Sequence, residues 1–336
     1  MQKNGFPIAY RNRSLAEIST FFNSEMNNPL SIVVLTRNRL PIVRPLLESL
    51  EKLRKGGIEI IVVDNASVDG TSEIVLKSFP RISVVTLDSN RGAVARNEGL
   101  AKASGDVIVT LDDDVYGLTE EHLDRIENYF EEKPRLGALN FKVLDEKTKS
   151  ISNWCHPYKP EDYSGRYFET CEISEGAVAF RRGALDETGY YPEPFFISNE
   201  GADLACRLLN RNFDIGFAPD VEVQHKHAEE SREPWRRYYY DTRNHFWLAV
   251  RNFRLAYGLR YVLAKVGIMM IYSIRDGYFR YWFRGVIDAL RGLGPMIRSR
   301  SPMTDSAVRR RSAIRSNRPG FLYLLKRRLQ ERKIRI

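Results

Sequence analysis

The chain has 336 residues, 43% hydrophobic and 28% charged, enough for one large α/β domain with appendages or for two smaller domains. Its net charge of +9 is concentrated at one end: residues 300–336 hold twelve Lys and Arg against two acids, so the tail carries +10 and the rest sums to −1. A near-neutral body argues against a nucleic-acid binder, and Cys155, Cys171 and Cys206 have no metal or redox spacing and suit reduced thiols in a cytosolic setting.

Residues 1–28 are polar, weakly periodic and without the apolar segment of a signal peptide, so a flexible lead-in is expected. Leu30–Thr36 reads as a strand with Ile32, Val33 and Val34 as its buried run. After the loop Arg37-Asn-Arg39, apolar residues recur at helical spacing through Leu40–Lys55, and Gly56-Gly57 ends that helix. Ile58–Val63 is a second buried strand closing on Asp64-Asn-Ala-Ser-Val-Asp-Gly-Thr71. Ser72–Ser78 reads as helix, Ile82–Leu87 as a third strand, and Asn90-Arg-Gly92 opens a helix through Ala103.

Val107–Leu111 is rich in β-branched residues and reads as a buried strand ending in Asp112, Asp113 and Asp114. Adjoining carboxylates repel one another and are costly to desolvate, so they suit a site with a cation between them. Hard oxygen ligands in this number favour Mg²⁺ or Mn²⁺ over zinc. An acidic, solvated turn is the other reading of the same residues.

Strands alternating with helices predict βαβ units and a parallel sheet, with ligands beyond the carboxyl ends of its strands. The polar loops at Thr36, Asp64 and Asp112 all follow strands at that end and therefore converge. Singly, Asp64-Asn65 or Ser67-x-Asp69-Gly70 also reads as a cap or turn; together the three loops favour a nucleotide or phosphate site. No Gly-x-Gly-x-x-Gly follows the first strand and no Gly-x-x-x-x-Gly-Lys occurs. Phosphate then needs another holder, and a divalent ion bridging diphosphate oxygens to the aspartates is the candidate.

In order and spacing, Thr36-Arg-Asn, Val63-Asp64-Asn-Ala-Ser-x-Asp-Gly-Thr71, Asn90-x-Gly92, Ala95-Arg-Asn-x-Gly99, and Gly105-Asp106 running into Leu111-Asp-Asp-Asp114 resemble family 2 glycosyltransferases. The resemblance runs from about Leu30 to Arg254. It implies an α/β GT-A fold, a Rossmann-like, mainly parallel sheet flanked by helices, with inverting chemistry, a nucleotide-sugar donor and Mg or Mn as cofactor. It places Thr36, Arg37 and Asp64 at the nucleoside pocket, Asp64 accepting hydrogen bonds from the base. Arg91, Gly92 and Arg96 fall in the segment that closes over nucleotide and diphosphate, where Arg96 offers a fork of donors; a solvated helix face is the alternative for Arg96-Asn97. Asp114 becomes the direct metal ligand, Asp112 shares the metal motif near the ribose or donor sugar, and Asp113 is a further donor contact.

The second half supplies the acceptor side under the same resemblance. Glu172–Phe180 alternates as a strand, with Gly176 where family members bring backbone close to the donor sugar, and Arg181–Gly189 reads as a short helix ending at a glycine. Phe195–Leu209 resembles the family's acidic motif, usually Glu-Asp-x-Asp-Leu, whose carboxylate is the general base for the acceptor hydroxyl. Here it runs Glu200-Gly-Ala-Asp203, with Gly201 where the second acid is common. Glu200 is the expected base and Asp203 braces the site; a helix capped by Ser198 or Asn199, its dipole complemented by these acids, is the alternative. Asn212–Asp220 reads as a short strand followed by Val221–His227. A histidine in this region often completes the metal site in family members. His225 and His227 share one side of a strand, so either is a candidate ligand.

Arg232–Arg254 is dense in aromatic and basic residues, and Tyr239-Tyr-Asp-Thr-Arg-Asn244 resembles a segment that follows the core in bacterial family members. Such interleaving can bind single-stranded nucleic acid, but its helical spacing equally suits docking on the core. Tyr261–Ile274 is apolar apart from Lys265 and Ser273; a span needs about twenty residues, so none is expected. Arg275–Leu293 mixes aromatics with arginines as in a helix at a membrane interface, and Arg309–Arg311 and Lys326–Arg328 would add attraction to anionic lipid. A helical hairpin on the core with a disordered basic tail is the alternative.

The expected organisation is a lead-in (1–28), a GT-A catalytic domain (29–255), an amphipathic helical extension (256–299) and a basic tail (300–336). The enzyme is expected at the cytoplasmic face of the membrane, passing a sugar from a nucleotide sugar to a glycan or lipid-linked acceptor in polysaccharide or glycolipid assembly. Gly201 motivates one alternative: a catalytically silent, membrane-attached partner subunit.

Overall fold

The computed structural model describes residues 30–53, 57–226, 233–316, 318–320 and 323. In chain order, β1 (Leu30–Thr36), α1 (Leu40–Leu50), β2 (Glu59–Asp64), α2 (Thr71–Ser78), β3 (Ser83–Thr86), α3 (Arg96–Lys102, entered through a 3-10 turn at Gly92–Ala95) and β4 (Val107–Asp112) form the first half. Their strands lie parallel in the order β3-β2-β1-β4. The unbroken apolar runs follow from burial on both faces. Val33, Ile61, Val63 and Ile108 enter one core, while Ile32, Val34, Ile60, Val62 and Val109 enter the other. Register sets the strand ends level, with Thr36 opposite Asp64 and Leu35 opposite Asp112. The chain leaves β1 toward β2 and returns on its other side at β4, which makes the β1–β4 crevice a topological switch point.

The second half consists of β5 (Val115–Tyr116), α4 (Glu120–Glu132), β6 (Leu136–Asp145), α5 (Pro160–Tyr163), β7 (Phe168–Glu169), β8 (Ala177–Arg181), α6 (Arg182–Thr188), α7 (Glu200–Asn210) and β9 (Asp214–His225). It extends the sheet as β4-β8-β6-β9-β5, with β7 on β9. Of these pairings only β6–β9 is parallel, so the whole sheet is mixed.

Two segments differ from expectation. Glu172–Gly176 is a loop, not the start of β8, because Asn140 of β6 donates to Glu172 O (3.2 Å) and accepts from Ser174 N–H (2.7 Å), replacing a strand ladder. The short strand expected at Asn212–Asp220 instead runs on to His225. It absorbs Pro219 in a register shift between Ala218 and Glu222.

Helices α8 (Trp235–Asn252), α9 (Leu255–Arg275), α10 (Phe279–Arg291), α11 (Leu293–Arg298) and α12 (Asp305–Ser316) complete the described chain. Met296, Met303, Ala307 and Ile314 join the same core as Phe195 and Trp247. Arg310 pairs with Asp214 and with Glu169 (3.0 Å), and Arg315 with Glu172 (2.6 Å). The packed body therefore continues past the boundary drawn at residue 300 from charge. Neutralisation by acids near β7 and β9 lets these arginines lie against the core. Helix α9 starts six residues before the apolar stretch seen in the sequence, running through Gly258 and Arg260. Among the described residues it is the one helix long and apolar enough, by length and composition, to cross a membrane, and 17% of its most apolar 18-residue stretch is buried.

Candidate functional site

The carboxyl ends of β1 and β4 bring the first loop onto the aspartates. Thr36 Oγ1 donates to Asp113 Oδ2 (2.8 Å). The Arg39 guanidinium bridges Asp113 Oδ1 and Asp114 Oδ2, at 2.8 Å to each. Arg37 is exposed, and Arg39, two residues on, is the arginine that reaches the site. Pairing of β5 with β9 sets His225 opposite Val115, and His225 Nε2 lies 3.1 Å from Asp114 Oδ1. His227 lies outside the described residues. Burial pushes the Asp113 carboxyl up in spite of Arg39. Burial would do the same to Asp114, but hydrogen bonding and charge from His225, then Arg39, hold it below its ordinary value. Among the described residues, no group of three or more His, Cys, Asp or Glu is set to enclose a metal ion.

Asp112 faces a different partner. Its carboxylate accepts from the buried Arg96, which also donates to Ala93 O (3.1 Å), so Arg96 is no solvated helix face. The Asp112 N–H donates to Gly176 O (3.0 Å), and a Cβ at Gly176 would lie 2.5 Å from Asp112 Oδ2. Without a side chain at 176 the β8 loop passes close to this carboxylate, and a methyl there would push the Asp112 side chain aside.

Asp64 is buried, and its carboxylate accepts from Ser67 N–H (2.9 Å) and from the Ser72 hydroxyl, fixing the loop after β2. Its neighbour Asn65 donates to Asn90 Oδ1 and Gly92 O (3.0 Å each) and accepts from Arg91 N–H (2.8 Å), welding the loop to residues 90–92. The Arg91 side chain turns to Glu98 (2.6 Å) and Glu193 (2.8 Å). Gly92 has φ +68°, and a Cβ there would lie 2.8 Å from the Phe196 carbonyl carbon; Ala93 N–H donates to that carbonyl oxygen (2.7 Å).

The same loop leads into α7. Phe196, Ser198 and Asn199 all have positive φ (65°, 76° and 63°), and neither Ser198 nor Asn199 caps the helix through its side chain. Asn244 of α8 holds the loop, donating to the carbonyls of Phe195 (3.0 Å), Ile197 (2.8 Å) and Ser198 (2.6 Å). Glu200 is 3% exposed and its Oε2 is buried without a hydrogen-bond partner. Burial, then the neighbouring Glu175 charge, pushes its carboxyl up to about 8. Asp203 is fully buried, with four donors on its two oxygens: Arg251 Nε (2.7 Å) and Asn252 (2.6 Å) on one, Arg207 Nε (2.8 Å) and Arg251 (3.3 Å) on the other. A carboxylate so occupied ties α7 to α8 and has no acceptor position left for chemistry.

Arg39, Asn65, Glu175 and Asn244 stand out here without having been picked from the sequence. Asn65 and Asn244 lay inside quoted motifs, and Arg39 one residue beyond Thr36-Arg-Asn.

Residues 31–189 match the profile described as glycosyl transferase family 2. Residues 31–189 carry that family's domain. Of its relatives, the uncharacterized glycosyltransferase YwdF of Bacillus subtilis is 32% identical over 170 residues, 48% of this chain and 61% of that protein, so the match stops short of two thirds of YwdF. The N-acetylglucosaminyl-diphospho-decaprenol L-rhamnosyltransferase of Mycobacterium tuberculosis is 25% identical over 247 residues, 62% of this chain and 80% of that protein. S. aureus TarS 1–349, solved with UDP-GlcNAc, superposes with a TM-score of 0.56 at 20% identity, covering 78% of this chain and 81% of that one. A mannosyltransferase from Pyrobaculum calidifontis, solved with GDP-Man and Mn²⁺, gives 0.50 at 15% identity over 95% and 94%. At these identities the two structures establish the fold, which is GT-A.

Proposed function

We propose that this protein is an inverting glycosyltransferase that moves a sugar from a nucleotide-sugar donor to a glycan or lipid-linked acceptor. The observation that carries this reading is the meeting of Thr36, Asp64, Arg96 and Asp112–Asp114 at one sheet edge, with His225 delivered there by β9. The nucleoside fits against the loops after β1 and β2, and Arg96 offers donors toward the diphosphate and Asp112.

Asp114 and His225, 3.1 Å apart, offer an oxygen and an imidazole donor that suit Mg²⁺ or Mn²⁺, and one or two protein ligands plus substrate phosphates is how Mg²⁺ is commonly held. Arg39 already places a positive charge between the Asp113 and Asp114 carboxylates. A divalent ion bound there would neutralise charge on the departing diphosphate. Deprotonation of the acceptor hydroxyl belongs at the amino end of α7, where Glu200 and Glu175 meet, and Asp203 braces that helix against α8.

A lipid-linked acceptor is supported by the mycobacterial relative, whose name specifies a decaprenol-linked one. It is supported too by Leu259, Leu263, Ile271 and Phe283, which are exposed on α9 and α10 beside Arg280 and Arg284. That surface fits peripheral attachment at the cytoplasmic face of a membrane. Co-sedimentation with anionic vesicles should fall in L259E/L263E/I271E, and binding equal to that of the parent protein would rule the surface out.

The deciding experiment is a thermal-shift panel of UDP-, GDP- and dTDP-sugars with and without Mn²⁺, followed by donor turnover. One nucleotide class should stabilise the protein in a metal-dependent way and support transfer. Neither stabilisation nor turnover with any donor would refute the proposal.

A further inference from the structure

Resting on the glycosyltransferase reading above, we infer that Glu175 supplies the carboxylate missing from position 201 of the acidic motif, and that it takes the proton of the acceptor hydroxyl. Position 201 has no side chain of its own, and the space one would fill is taken. A Cβ on Gly201 would lie 2.8 Å from Glu175 Cδ and 3.1 Å from its Cγ. An acid at 201 and the Glu175 carboxyl are thus alternatives for one volume. Glu175 Oε1 accepts the Gly201 N–H (2.9 Å), which anchors the carboxylate on the first turn of α7, where the helix dipole favours negative charge.

Access separates the two acids. Glu200 is sealed, with one carboxyl oxygen buried and unpartnered, whereas Glu175 is only half-buried. Two acids in one desolvated pocket favour a single negative charge. Burial raises both carboxyls; at Glu175 the Gly201 N–H and Arg96 oppose the rise and Glu172 adds to it, so the proton goes to Glu200, pushed up to about 8, and the single charge to Glu175. Glu175 also immediately precedes Gly176, whose backbone lies against Asp112, so the base borders the donor-sugar wall. In the transfer step the acceptor oxygen bonds to the anomeric carbon while the bond from that carbon to the diphosphate oxygen breaks. The bonding pair leaves on the nucleoside diphosphate, and the hydroxyl proton passes to the Glu175 carboxylate.

The test uses the full chain and the donor that stabilises it. Glu175→Gln keeps the shape and the acceptor for Gly201 N–H, so its nucleotide-dependent thermal shift and donor KM should match the parent protein. Its kcat should fall about 10²–10⁴-fold, and the acidic limb of its kcat/KM–pH profile should vanish. Glu175→Ala/Gly201→Asp returns a carboxylate to the same volume from the other side and should recover at least tenfold over Glu175→Gln. Gly201→Asp alone should lower Tm, and adding Glu175→Ala should restore it, a readout of shared space that needs no turnover. Full kcat in Glu175→Gln, or no recovery in a double variant of normal Tm, would overturn the assignment. A parent protein inactive with every donor would instead remove the functional reading beneath it.

Discussion

Replacing Glu200 by Gln should make the protein more stable, and increasingly so as pH rises. Three charged neighbours set the Glu200 carboxyl: Glu175 from the loop before β8 and Asp241 from α8 raise it, Arg96 from α3 opposes them, and burial dominates all three. Its affinity for a proton moves from an ordinary 4.5 to about 8. At about 1.4 kcal/mol per tenfold change, the ionised form costs the fold about 5 kcal/mol relative to the unfolded chain. The sign follows from the raised value: this contribution is fully present below pH 4.5 and is lost as pH climbs through 8. Between pH 6 and pH 9 the loss is about 3 kcal/mol. Gln does not titrate, so the Tm of E200Q should gain on that of the parent protein over that range, by roughly 6 °C at about 2 °C per kcal/mol for a chain of this size. Differential scanning fluorimetry from pH 5 to pH 9 measures it. Parallel curves for the two proteins would show that Glu200 is ionised in the fold throughout and would refute the buried-acid argument.

Asp203→Asn should destabilise the protein by about 3–5 kcal/mol in urea unfolding, because Arg207 and Arg251 lose the anion that compensates them in a buried setting. Gly176→Ala should weaken metal-dependent nucleotide binding by tenfold or more in calorimetry while the unliganded Tm changes little, since the new methyl meets only the Asp112 carboxylate. Arg39→Ala removes the guanidinium from Asp113 and Asp114, so Mn²⁺ alone should bind roughly tenfold more tightly, consistent with losing one like charge at close range; unchanged Mn²⁺ affinity would place the metal elsewhere.

Sequence was most informative where burial is symmetrical. Strands β1, β2 and β4 are covered on both faces, so each writes an unbroken apolar run, and the first polar residue after each run marks the sheet edge. Thr36, Asp64 and Asp112 could therefore be placed together before any coordinates. What pattern could not show is which side chain of a loop turns inward. Asn38, with φ +51°, rotates the chain so that Arg39 and not Arg37 meets the aspartates. Glu175 was equally hidden: an acid ahead of a glycine carries no periodic signal, and its meaning depends on an empty position 26 residues later. The β8 boundary was misplaced for a related reason, because a side chain, Asn140, satisfies the backbone that a strand would have paired.

The strained loop before α7 ties the part of the chain matched by the family profile, residues 31–189, to helix α8 beyond it. Three non-glycine residues at positive φ within four positions cost on the order of 1–3 kcal/mol each, so the surroundings must over-determine the conformation. They do so from α8: Asn244 engages three carbonyls, Arg243 donates to Phe195 O (2.7 Å), and Ser198 bonds to Asp241. Arg243 lies 4.3 Å from the Trp247 ring centroid, so this part of the aromatic-basic stretch is spent inside the protein and not on nucleic acid. The same loop receives Gly92 and Ala93 at Phe196 and leads into Glu200 at the start of α7. A shift of the 90–96 segment on closing over a diphosphate would therefore press on the residues that present the acids. On the proposed function, donor binding and acceptor deprotonation would share one piece of backbone, which α8 holds in place.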